Sequence, residues 1–134
     1  MTQLRISDAA ALVGVSDDTV RRWIEAGRMA VNLDSSHRQV VDGAELARVA
    51  QEEAGTDRDA LDVGAGRRSA RNHFTGLVTR VLSDPVMSQV DLQCGPFRVV
   101  SLISTEAVRE LGIEPGSVAT AVVKATNVSI EARG

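Results

Sequence analysis

The chain has 134 residues, 43% hydrophobic and 25% charged, enough for one ordinary domain or two very small ones and too apolar for a disordered segment. Aromatics make up 2%, with one Trp, two Phe and no Tyr, which excludes the stacking platforms of most single-stranded nucleic-acid binders. A formal net charge of -3 argues against a polybasic tail, and a single cysteine, Cys94, excludes a disulfide framework or a multi-cysteine metal site. No apolar run reaches the roughly 18 residues of a membrane span, and Met1 to Arg5 does not begin a signal peptide, so a cytoplasmic protein without a membrane partner is expected.

The first elements are helical. Ser7 is positioned to cap a helix carrying Ala9, Ala10, Leu12 and Val13, which Gly14 ends in the left-handed conformation. Ser16 caps a second helix, where Val20, Trp23 and Ile24 fall at i, i+3 and i+4 and share a buried face. Gly27 ends that helix. Residues 29–31 and 39–41 flank a polar tip, Asn32 to Arg38, and predict a β-hairpin. Asp42 then caps a third helix with Leu46, Val49 and Ala50 inward. Residues 55–67 alternate in charge, contain two glycines toward their end and lack apolar periodicity, the pattern of a flexible linker.

Beyond the linker the period changes. His73 to Leu82, Val86 to Cys94 and Phe97 to Ile103 read as strands separated by Asp84-Pro85 and Gly95-Pro96. Ser104 or Thr105 starts a short helix that Gly112 closes, Glu114-Pro115-Gly116 is a turn, and Val118 to Lys124 and Asn127 to Glu131 read as a fourth and a fifth strand. The fold class is therefore α+β. A helix-turn-helix with a wing in residues 1–54 is followed by the linker, 55–67, and an OB-like five-stranded β-barrel with one short helix in residues 68–134.

Two sets of residues carry chemistry. Once Val20, Trp23 and Ile24 are buried, helix two exposes Thr19, Arg21 and Arg22, with Arg28 just beyond and His37 and Arg38 at the hairpin tip. Arg21 and Arg22 suit base readout and Arg38 suits phosphate positioning. Ile6-Ser7-Asp8-Ala9-Ala10, Gly14-Val15-Ser16, Thr19 to Ile24, Gly27 and His37-Arg38 together resemble the MerR-type and excisionase-like winged helix-turn-helix domains, which implies double-stranded DNA as a partner. Residues 1–55 nevertheless hold 6 Arg against 9 acids, so the salt-dependent phosphate term is expected to be modest.

In the second module Ser69-Ala70-Arg71-Asn72, Ser101 to Ser104 and Lys124-Ala125-Thr126 are rich in donors. A tetrahedral dianion presents only acceptors at neutral pH, so its site needs hydroxyls, N–H groups and one or two positive charges with few carboxylates nearby. Lys124 is the single lysine among 15 basic residues. Taken one at a time, Ser69 to Asn72 also suits a capped strand start and Lys124 an edge-strand gatekeeper. Together with Gly76, Val108 to Ile113 and Val123 to Val128, these segments resemble the Mop (molbindin, TOBE-type) domain. The resemblance implies molybdate or tungstate bound between subunits, with Ser69, Arg71, Lys124 and Thr126 from one chain and Ser101 and Ser104 from another, and a homo-oligomer formed through the C-terminal domain. The combination predicts a non-enzymatic, molybdate-sensing transcription regulator. The alternative is an intracellular molybdate buffer whose winged domain is vestigial or binds protein.

Overall fold

The computed structural model describes residues 2–54, 61, 62, 64 and 67–133, which fall into two units, 1–54 and 55–134. Most of the expected linker, residues 55–60, 63, 65 and 66, lies outside the described residues. No described helix is long and apolar enough to cross a membrane.

In the first unit, β1 (Gln3–Arg5) runs directly into α1 (Ile6–Val13), followed by α2 (Asp17–Glu25), β2 (Val31–Leu33), β3 (Gln39–Asp42) and α3 (Gly43–Glu53). The expected Ser7 cap is corrected here, because the helix already begins at Ile6 and the capping position is held by Arg5, which offers no side-chain cap. Gly14 takes φ 74, the left-handed conformation that a helix stop requires. Ser16 accepts the Thr19 amide at 3.2 Å and Asp42 accepts the Glu45 amide at 3.1 Å, so both of these helices start on side-chain caps. The three strands pair in the order β1-β3-β2, all antiparallel. Sequence reading gave the β2–β3 hairpin but not β1, which is only three residues long. β1 is defined by its register with β3, Leu4 opposite Val41. The core gathers Ile6, Ala9, Ala10, Val20, Trp23, Met29, Val41, Leu46 and Val49.

The second unit has β4 (Asn72–Ser83), β5 (Met87–Cys94), β6 (Phe97–Ser104), α4 (Thr105–Leu111) and β7 (Val118–Val123), then a 3-10 turn at Ala125–Asn127. The antiparallel sheet has the order β6-β5-β4-β7. β4 is long because it serves two partners. Its first half pairs with β7 and its second with β5, with a register shift between Val78 and Arg80. Gly76 lies where the β5 backbone comes closest: a Cβ there would sit 2.2 Å from the Gln93 carbonyl oxygen. Val78, Val90, Leu92, Cys94 and Val108 form the core.

The expected OB-like β domain is present, but its five-stranded barrel is corrected to an open half-barrel of four strands, in which β6 and β7 are the edges among the described residues. Asn127 to Glu131 does not form a strand. Asn127 ends the 3-10 turn, whose amide-to-Lys124-carbonyl bond of 2.9 Å redirects the chain as it leaves β7, and the exposed residues after it pair with no described strand. A cavity of about 280 Å³ lies between the two edges, lined by Val99, Ser101 and Ile103 from β6 and by residues 119–123 from β7.

Candidate functional site

The β4–β7 register organises the donor-rich segments. Asn72 pairs with Val123, so Ser69 and Arg71, which lead into β4, lie at the same end of the strand pair as Lys124 and Thr126, which leave β7. All four are exposed. The antiparallel register places the start of β4 beside the end of β7. Ser101 and Ser104 belong to the other edge of the sheet, opposite Val90 and Met87 of β5. Curling of the sheet brings Ser101 onto the cavity that Val122 and Val123 also line. Ser104 caps α4 by accepting the Ala107 amide at 3.1 Å. By strand order the six residues fall into four at the β4–β7 end and two on β6, of which Ser101 shares a cavity with the end of β7.

Beneath Ser104 lies a set of hydroxyls that sequence reading did not single out. Ser88 and Thr105 are buried, with their oxygens 2.8 Å apart, and Ser83 Oγ lies 2.7 Å from Ser88 Oγ. Thr105 Oγ1 donates to the Asp84 carbonyl at 2.7 Å, and its amide donates to the Val86 carbonyl at 2.9 Å. The start of α4 is thereby tied to the turn between β4 and β5, which holds Ser104 in a defined place. A hydroxyl every few residues gives no periodic signal, so only pairing across strands reveals the chain.

A second feature stands ahead of Ser69. Asp62 is 5% exposed and accepts two bonds from the Arg68 guanidinium, at 2.6 and 2.7 Å, as well as the Gly64 amide at 3.0 Å. His73 Nδ1 of β4 lies 3.4 Å from the same carboxylate. The Arg68 bonds hold the Asp62 carboxyl at about 2, against an ordinary 3.8. Arg68 is therefore neutralised in place, and Arg71 and Lys124 are the cations that flank the β4–β7 end.

In the first unit, Arg22 donates to Thr19 Oγ1 at 3.0 Å, and Thr19 Oγ1 lies 3.0 Å from Ser16 Oγ, so these three follow one line along α2. Arg28 turns to α3, where it pairs with Glu52 at 3.1 Å and with Glu53, and its guanidinium carbon stands 5.9 Å from the centre of the Trp23 ring. Its backbone carbonyl accepts from Arg48 at 2.8 Å. Both carboxylates favour the charged guanidinium, Glu53 the more strongly. The hairpin tip is organised by Asp34, whose Oδ1 accepts the Ser36 and Arg38 amides at 2.8 and 2.9 Å and whose Oδ2 pairs with Arg38 Nε at 3.2 Å. These bonds keep the Asp34 carboxyl below its ordinary range, the Arg38 amide contributing most. His37 takes φ 61 at the tip, leaving its ring exposed.

A TOBE domain model matches residues 68–130. A stretch of 63 residues, 46% of this chain, is 42% identical to the Molybdenum-pterin-binding protein 2 of Clostridium pasteurianum and spans 93% of it. Among solved structures, MopII from Clostridium pasteurianum aligns at 41% identity over 48% of this chain and 98% of its own length, with a TM-score of 0.46. The cytoplasmic molybdate-binding protein ModG, in a form with molybdate bound, aligns at 41% identity over 46% of this chain and 45% of that one, with a TM-score of 0.44. Through residues 68–130, this chain belongs to the TOBE domain family.

Proposed function

We propose that this protein is a molybdate- or tungstate-responsive DNA-binding regulator, in which residues 68–130 hold the oxyanion and the first unit binds duplex DNA. The anion reading is carried by the end of the β4–β7 pair, where Ser69, Arg71, Lys124 and Thr126 gather two hydroxyls and two cations from segments free of acidic residues. Four donors on one side of a tetrahedral dianion leave its remaining oxygens unsatisfied. Ser101 and Ser104, set on the opposite edge, complete the shell when they come from a second subunit. Anion binding at such a junction favours one assembly over another, and by linkage that assembly alters DNA affinity by the same factor as DNA alters anion affinity.

The test is native mass spectrometry and calorimetry on the full chain with molybdate, tungstate and sulfate. Molybdate bound in a whole-number ratio to an oligomer is the expected result. A monomer that binds molybdate with unchanged mass refutes the intersubunit site.

The second reading is a molybdate buffer that does not bind DNA. It is favoured by the acidic balance of the first unit, in which Arg28 and Arg48 already pair with carboxylates. Gel shifts at two salt concentrations separate the two. A protein that binds molybdate but no duplex, with or without the anion, is the buffer.

A further inference from the structure

The two adjacent arginines of α2 do not point the same way. Successive residues on a helix are turned by about 100°, and Arg22 folds back onto Thr19 whereas Arg21 faces the sheet side of α2. There Arg21 lines a cavity of about 330 Å³ together with Arg5 from β1, Arg38 from the hairpin, Ser7, Gln39 and Asp17. Three guanidiniums and one carboxylate give this hollow a formal charge of +2, in a unit that is acidic as a whole. Among the described residues, neither Arg5 nor Arg21 has a carboxylate within ion-pair distance, while Arg28 and Arg48 are paired on α3 and Arg38 shares Asp34. With Arg38 balanced by Asp34, the unpaired charges of Arg5 and Arg21 repel each other in one hollow, and an anionic ligand relieves that repulsion.

We infer that the Arg5–Arg21–Arg38 hollow is a phosphate site that takes a backbone phosphate of duplex DNA. Arg5 is thereby added to the interface, and Arg21 becomes a positioning rather than a base-reading residue. The inference rests on the DNA-binding reading of the first unit. Guanidinium forks match phosphate oxygens two at a time, and Ser7 and Gln39 add neutral donors at the same rim. With Arg21 so engaged, base discrimination along α2 falls to Thr19 and Arg22. Asp17 opposes the phosphate and limits affinity.

The experiment uses the full chain and two probes, a randomised duplex pool and inorganic phosphate, with melting curves confirming that each variant folds. Arg5→Ala and Arg21→Ala are each expected to weaken duplex binding about tenfold and to lower the salt slope by about 0.9, while enriching the same sequences from the pool as the parent protein. Arg21→Lys retains the slope, Asp17→Asn tightens binding, and Arg22→Ala changes the enriched sequence. Salt slopes unchanged in Arg5→Ala, or a changed consensus in Arg21→Ala, overturn the phosphate site while leaving DNA binding intact. A parent protein that binds inorganic phosphate but no duplex shows the hollow to serve a free phosphate compound, and one that binds neither overturns the DNA reading together with this site.

Discussion

The two units of this chain satisfy their surfaces in opposite ways. The first closes on itself: eight buried apolar residues join Trp23 in one core, its sheet is backed by helices, and α3 takes up Arg28 through Glu52 and Glu53. The second leaves much apolar surface in water, with Phe97 at 62%, Leu102 at 69% and Val118 at 58% exposure on its edge strands. Scattered exposed apolar residues are ordinary, but large ones concentrated on a small open sheet mark a surface meant to be covered. A unit of this size buries a limited share of its own surface. The contrast teaches that the first unit covers its apolar residues itself, whereas the second keeps an apolar surface that a partner surface would cover.

The strongest way to break this comparison is to hollow out the first core. Trp23→Ala is expected to destabilise the first unit by about 3–5 kcal/mol, leaving molybdate affinity and oligomer mass unchanged. Two separate calorimetric transitions, with only one displaced, check this. Loss of anion binding in the same variant shows that the units are not independent.

The next effect falls on the second unit. Gly76→Ala places a methyl against the Gln93 carbonyl, where backbone cannot yield, and is expected to cost about 1–3 kcal/mol. Chemical denaturation followed by circular dichroism reads it directly, with the Trp23 fluorescence midpoint unmoved.

Lys124→Ala sharpens the comparison at the ligand. Removing a charge-assisted bond to a bound dianion is expected to weaken molybdate binding tenfold or more, with little change in the stability of either unit, since Lys124 is exposed. Calorimetric titration at constant ionic strength measures it. An affinity equal to the parent's removes Lys124 from the site.

The smallest effect is one of pH. Asp62 titrates at about 2 in the folded chain against an ordinary 3.8, so it contributes stability above about pH 4 that is lost as the pH falls toward 2. Asp62→Asn is expected to lower the melting temperature of the second unit by several degrees at pH 7, and the difference from the parent shrinks below pH 4. Thermal scans from pH 7 to pH 2.5 show whether the two curves converge.

Local features were legible because their causes lie within a few residues. The Ser16 cap, the Gly14 stop, the Val20–Trp23 face of α2 and the alternation of β4 to β6 each depend on neighbours along the chain. The donor segments at Ser69, Arg71, Lys124 and Thr126 were visible for the same reason, as runs of the right side chains. Features resting on distant partners were not legible. β1 exists through β3, with Leu4 opposite Val41 far along the chain, Arg28 is claimed by carboxylates 24 and 25 residues on, and Asp62 sits in a stretch whose composition resembles a linker until Arg68 closes on it.

What the amino-acid order determined alone was the helices, the longer strands, the Ser16 and Asp42 caps and the chemistry available in each module, since propensity and periodicity are short-range. The tertiary structure decided which donors meet. Antiparallel pairing sets Ser69 and Arg71 at the same end of the strand pair as Lys124 and Thr126, and places Ser101 and Ser104 on β6, with Ser101 on the cavity that Val122 and Val123 line. It also turns Arg21 toward Arg5 and Arg38, and ends the sheet at four strands. Each of these outcomes depends on the register of strands or the rotation of a helix against its neighbours, and a shift of one residue in either moves a side chain to another face.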